Sequence, residues 1–183
     1  QKTFTADAVV VATGHSAFDI YELIGKVNPL ALEAKTFAMG VRVEHPRTLI
    51  DAIQYHGQNN DGILPTAEYR LTTQVEDRGV YSFCMCPGGF VVNASSEENH
   101  LVINGMSNHK RNEENANSAI VVQVSNKDFG NNIFDGMNFQ RHLEEKAYKI
   151  VFYRGSRDFV DTIAPKIKKL FGITEADIVQ SNI

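Results

Sequence analysis

Two cysteines, Cys84 and Cys86, stand two positions apart in the run YSFCMCPGGF. In a regular strand such residues leave the same face, with Cα atoms about 6.6 Å apart, near the upper limit for a disulfide. The spacing suits either a redox dithiol or a plainer arrangement in which Cys84 packs and Cys86 belongs to a turn. The CxxxxC spacing of disulfide reductases is absent, so Cys86 is the one catalytic candidate and no acid or base is assigned. Arg42 and Glu44 alternate in KTFAMGVRVE. An Arg there can hold a carboxylate or phosphate bidentately, or it can pair within a solvated face. Asn104, Arg111, Asn115 and Asn117 offer further donors, although Asn also serves turns and caps. Of these, Arg42, Asn104, Arg111 and Asn117 are the candidate substrate-binding residues. The six histidines show no HxH or HExxH spacing and the cysteines have no second pair, so no metal site is expected. No nucleophile elbow supports hydrolysis.

The elements that must position these residues follow from periodicity. Residues 6–13, ADAVVVAT, form a short apolar run suited to a strand covered on both faces in a parallel sheet. Gly14 breaks it. Ser16 can cap a following helix that uses Phe18, Tyr21, Leu23 and Ile24 and stops at Gly25. Residues 35–44 alternate as a half-buried strand, and Pro46 starts a short helix. Between residues 67 and 124 the pattern is mostly strand: EYRLTTQV, GVYSFCMC, GFVVNAS, HLVINGM and SAIVVQV, in a meander-like antiparallel region. The sequence Cys86-Pro87-Gly88-Gly89 reads as a type II turn. Phe139, Leu143, Ala147 and Ile150 fall at helical spacing, continued by Phe159, Ile163, Ile167 and Leu170 past a break at Pro165.

With 183 residues, 43% of them hydrophobic, the chain can bury one substantial core. A net charge of −4 gives no positive field for nucleic acid. No apolar run reaches the roughly 20 residues a membrane span needs, and a cytoplasmic protein is expected. The chain has no initiator Met, and residues 1–5 run directly into a buried-looking strand; a preceding segment is therefore expected.

The run ADAVVVATGHSAFDIYELI resembles the late Ala-Thr-Gly motif of two-dinucleotide-binding-domain flavoproteins, in which a buried strand ends beside FAD. FAMGVRVEHP, LPTAEYRL, YSFCMCPGGFVVNASSE, VINGMS and NANSAIVVQV resemble, in order and spacing over residues 3–146, a largely uncharacterised bacterial family of FAD-dependent or NAD-utilising dehydrogenases. The resemblance implies an α+β fold, with a mixed, mostly antiparallel sheet and flanking helices inside a partial flavoprotein architecture of the glutathione-reductase type. It divides the chain into residues 1–33, the end of an FAD-binding domain, and residues 34–183, an inserted substrate domain. It implies FAD contacts at Ala12, Thr13, Gly14 and His15 and at the turn residues Cys86, Gly88 and Gly89, with NAD(P)H as a candidate electron donor. The GxGxxG fingerprint that holds the pyrophosphate occurs nowhere in the sequence. The expected identity is therefore a segment of an FAD-dependent oxidoreductase whose partners are the flavin-binding portion of its parent chain and a small-molecule substrate. The alternative is a stand-alone, non-catalytic binding module.

Cysteine spacing and a reducing compartment together predict free thiols. Both cysteines should react with a thiol reagent on unfolding without prior reduction; an intact Cys84–Cys86 disulfide after non-oxidising purification would contradict this.

Overall fold

The computed structural model describes residues 2–56 and 63–162. The chain divides into two units, Gln1–Ala34 and Lys35–Ile183.

In the first unit, residues 6–13 form no strand. Val9, Val10 and Val11 are 82%, 89% and 58% exposed. The expected strand is absent because a strand is a ladder of hydrogen bonds between segments, and no described segment pairs with this one. Helix α1, Phe18–Val27, follows, with Asp19 in its first turn and Lys26 in its last, each charge opposing the helix dipole. Its N-cap is Ala17 rather than Ser16, and no side chain caps it. Nor does Gly25 stop the helix. It runs on to Val27 and ends at Asn28 because Pro29 forces its predecessor out of the helical region; Asn28 has φ −147° and ψ 89°.

The second unit opens with β1, Phe37–Pro46, and α2, Arg47–Gln54. Strands β2 (Thr72–Val75), β3 (Arg78–Cys86), β4 (Gly89–Asn93), β5 (Ile103–Ser107) and β6 (Asn115–Val124) come next. Helices α3, Asn126–Phe129, and α4, Asp135–Thr162, close it. The fold is α+β: a four-stranded sheet in the order β1-β6-β3-β2, antiparallel in every pairing, with flanking helices, and a separate two-stranded sheet of β4 and β5. The positions Ile163, Ile167 and Leu170 and the break at Pro165 lie outside the described residues.

The sheet order differs from a meander. The last strand, β6, inserts between β1 and β3, pairing with β1 from Phe37↔Val124 to Pro46↔Asn115 and with β3 from Val80↔Val122 to Cys86↔Asn117. Its entry is closely enclosed: Ala116 is 1% exposed, and Asn117 and Ser118 are fully buried. Of EYRLTTQV only Thr72–Val75 is strand. It joins β3 through Glu76 and Asp77, both at positive φ (49° and 62°), as a two-residue type I′ hairpin requires.

The C-terminal helices are anchored by specific contacts. Ser125 and Asp128 form a capping box on α3, and Arg78 donates two hydrogen bonds to Asp128, at 2.9 and 2.5 Å. That guanidinium, and after it the Ser125 backbone amide, hold the Asp128 carboxyl down at about 2. Phe37 stacks on Phe129 at 5.4 Å, and Phe129 meets Phe139 at 6.2 Å, which ties α4 to the start of β1. Farther along, Arg141 holds Glu97 through Nε (3.1 Å) and Nη2 (2.9 Å).

Two outcomes follow. A Cβ at Gly40 would lie 1.9 Å from the Ile120 carbonyl oxygen, so Gly40→Ala should destabilise the domain by about 1–3 kcal/mol, read as a lower midpoint in urea. The buried His45 ring has its pKa lowered from 6.5, chiefly by desolvation. It stays neutral while the unfolded chain takes up a proton. Stability is therefore full above pH 6.5 and falls as pH drops below it, and His45→Gln should flatten that part of the melting-temperature profile.

Candidate functional site

Strand alternation sends Arg42 and Glu44 to one face of β1, and the register sets Asn117 and Asn115 of β6 on that face beside them. Arg42 and Glu44 do not pair with each other. Arg42 Nη1 donates to Asn117 Oδ1 at 2.7 Å and to the Cys84 carbonyl at 3.0 Å, while Asn115 Nδ2 donates to Glu44 Oε1 at 2.6 Å. Arg42 Nε and Asn117 Nδ2 are buried without a hydrogen-bond partner. Donation from Arg42 fixes which end of the Asn117 amide is oxygen, and it leaves the amide nitrogen facing away from any acceptor.

Next to this pair, β3 departs from regular pairing. Phe83 lies opposite Ala119 and Cys86 opposite Asn117, so Cys84 and Met85 together face Ser118 across a β-bulge. The bulge changes which side chains share a face. Phe83 goes with Cys86, and the same-face relation expected for Cys84 and Cys86 is lost. Both cysteines are free; Cys84 is exposed rather than packed, and Cys86 is partly covered. Cys84 takes φ +47°, a left-handed conformation that a non-glycine residue adopts at a cost on the order of 1 kcal/mol. The Cys86 thiol donates to the Cys84 carbonyl at 3.4 Å.

After Cys86 the chain turns as expected, with Gly88 at φ +49°. The space freed by the missing side chains at the two turn glycines is filled by the chain's own backbone. A Cβ on Gly88 would lie 1.9 Å from the Arg111 carbonyl oxygen, and one on Gly89 2.2 Å from that of Met106. Ser107 Oγ donates to the Pro87 carbonyl at 2.8 Å, and Glu113 N to that of Gly88 at 3.3 Å. The turn is a buried corner clamped by β5 and the loop that follows it.

The four candidate substrate residues separate accordingly. Arg42 and Asn117 meet. Asn104 sits on β5 and accepts the Gly105 amide at 2.8 Å. Arg111 brings its backbone against Gly88 of the turn, while its guanidinium pairs with Glu68 and its carbonyl accepts Thr66 Oγ1 at 2.9 Å. Sequence reasoning missed Gly105, the residue that closes the cluster. A Cβ there would fall 2.3 Å from both Arg42 Nη1 and Asn117 Oδ1 and 2.8 Å from Cys86 Sγ. A glycine inside a strand pattern was the available signal. Also missed was a polar network on the other face of β1, where His45 Nε2 lies 2.9 Å from the Tyr69 hydroxyl. Burial lowers the His45 pKa and raises that of Tyr69, so both are neutral near pH 7.

In the first unit, Gly14 takes φ +85°, and nothing lies within 4 Å of where a Cβ would stand. The Tyr21 hydroxyl donates to the Gly14 carbonyl at 3.4 Å, and His15 makes an edge contact with Phe18 at 6.4 Å. Gly14 thus faces open space, while the first amides of α1 are bonded locally, Phe18 N to the Ser16 carbonyl at 3.0 Å and Ile20 N to that of Ala17 at 3.1 Å. An open depression of about 360 Å³ in the second unit is lined by residues including Glu97, His100 and Tyr148 and contains none of the candidate residues. Among the described residues no cluster of three His, Cys, Asp or Glu could hold a metal, and no helix is long and apolar enough to cross a membrane.

An uncharacterised protein of Clostridium beijerinckii is 54% identical over 152 residues, which are 81% of this chain and 28% of that protein. The chain thus spans little more than a quarter of that relative's length. Residues 36–165 match the family described as FAD-dependent protein, C-terminal domain-like. That stretch takes in the main sheet, the bulge and the clamped corner, and on it the chain belongs to the family of FAD-dependent protein C-terminal domain-like proteins.

Proposed function

We propose that this chain is part of a larger cytoplasmic FAD-dependent oxidoreductase, to which it contributes one edge of the flavin site and the domain that covers the flavin and shapes the substrate pocket. The observation that carries the reading is the family match over residues 36–165, together with a relative of which the chain spans 28%. Support comes also from residues 6–13, whose valines stand exposed in an extended, unpaired segment. That is what a strand looks like when the sheet it belongs to is contributed by another part of the polypeptide. In this reading the flavin-binding portion of the parent is the partner of this segment.

FAD fits the residues in part. Gly14, left-handed with open space beside it, lets a cofactor come up to the backbone. Ala12, Thr13, Gly14 and His15 would form that edge, and the corner at residues 86–89 would border the ring system, backed by Arg42 and Asn117 and rimmed by Asn104 and Arg111. When bound, FAD supplies the hydride or electron transfer. The residues of this chain orient the ring and exclude water from it. NAD(P)H as the donor rests on the sequence resemblance alone.

The isolated chain should be colourless and, in isothermal titration, should bind FAD weakly, since the pyrophosphate-binding glycine-rich turn is not in its sequence. The full-length protein should purify with flavin. A dissociation constant for the isolated chain at or below about 1 μM, or about 8 kcal/mol, would overturn this, and a flavin-free parent would favour the non-catalytic module. In the parent, Gly14→Val should reduce flavin occupancy at equal protein concentration, because a β-branched residue at φ +85° is strained by roughly 1–3 kcal/mol.

A further inference from the structure

We propose that Arg42 is a positioning residue: it holds the β3 bulge, and through it the corner at residues 86–89, in place against the cofactor. The inference rests on the reading in which that corner borders the flavin.

At the bulge the β3–β6 ladder loses its regular pairing, since Cys84 and Met85 share one opposite residue, Ser118. The chain there also carries the unfavourable φ of +47° at Cys84. Something must hold the bulged segment, and Arg42 does so from two strands away. One nitrogen, Nη1, donates to the Cys84 carbonyl at 3.0 Å and to Asn117 Oδ1 at 2.7 Å. It therefore joins β1 and β6 to the bulged stretch of β3 where the ladder does not. Gly105 closes the arrangement from β5, and only a residue without a side chain fits above Nη1, the Asn117 oxygen and the Cys86 sulfur. Four strands converge on one guanidinium nitrogen.

The same geometry argues against Arg42 as a direct ligand. Bidentate recognition of a carboxylate uses two N–H groups of the guanidinium edge. Here Nη1 is engaged by the protein and Nε is buried without a partner. Two buried donors, Arg42 Nε and Asn117 Nδ2, are left unmatched, which works against stability. A pair of apolar side chains on these two strands would avoid that cost. The polar pair therefore fits a role in fixing the bulge rather than in stabilising the sheet.

The test uses the full-length protein with bound FAD and three variants: Arg42→Met, Cys84→Gly and the double variant. Arg42→Met should shift the flavin absorption bands and weaken FAD at least ten-fold. Glycine takes the left-handed conformation without being held, so Cys84→Gly should restore most of the spectrum and affinity in the Arg42→Met background. Arg42→Lys, which keeps a donor and the charge, should give an intermediate shift and serves if the Met variant does not fold. A wild-type spectrum and affinity in Arg42→Met would overturn the proposal. So would a defect equally large with and without Cys84→Gly, which would mean that Arg42 touches the ligand itself. Absence of flavin from the wild-type protein would instead sink the reading beneath the proposal.

Discussion

The ladder between β1 and β6 runs through ten consecutive residue pairs and sets Ala116, Asn117 and Ser118 at its most enclosed point, none more than 1% exposed. Strands on both sides of β6 and close cover on its two faces exclude water there, so polar atoms in this stretch must be matched within the protein or remain costly. Asn117 is matched at its oxygen by Arg42, and Ser118 Oγ donates to the carbonyls of Ala119 at 3.1 Å and Phe83 at 3.4 Å. His45, opposite Ala116 in the register, turns to Tyr69. The polar residues of β1 are placed by what β6 leaves them to bond with, and the bulge in β3 is placed by the same strand.

The bulge has consequences beyond the strand. One extra residue moves Cys86 onto the face of Phe83 and puts its sulfur beside Gly105 and Arg42. It leaves Cys84 outward and strained. The corner that follows is then fixed by close backbone approaches at Gly88 and Gly89, each filled by another stretch of the same chain. Glycine is demanded at both positions by the protein's own packing, whatever else lies near the corner. A dithiol mechanism is weakened by the same geometry, since the two cysteines no longer share a face.

The first unit behaves differently. Val9, Val10 and Val11 lie exposed along an extended segment that pairs with nothing described. Exposing three adjacent valines forgoes the several kcal/mol that their burial would return. A run of this kind is stable as a strand only when it is paired with others.

Local pattern alone determined a good part of this protein. Alternation at Phe37, Met39, Val41 and Val43 located β1 and put Arg42 and Glu44 on its polar face, helical spacing at Phe139, Leu143 and Ala147 located α4, and Pro87 with Gly88 located the turn. Period-two and period-3.6 signals depend only on neighbours along the chain. Tertiary structure decided the rest. Strand order could not be read, because the insertion of β6 between β1 and β3 is a pairing of segments far apart in the sequence. The length of α1 was set by Pro29 rather than by Gly25, since a helix tolerates glycine at about 1 kcal/mol whereas the residue before proline leaves the helical region. The cysteines parted because a bulge is a property of two paired strands and leaves no mark in one. And the run at residues 6–13, apolar enough to be read as a strand, is none here, because a strand needs a paired segment and no described segment pairs with it.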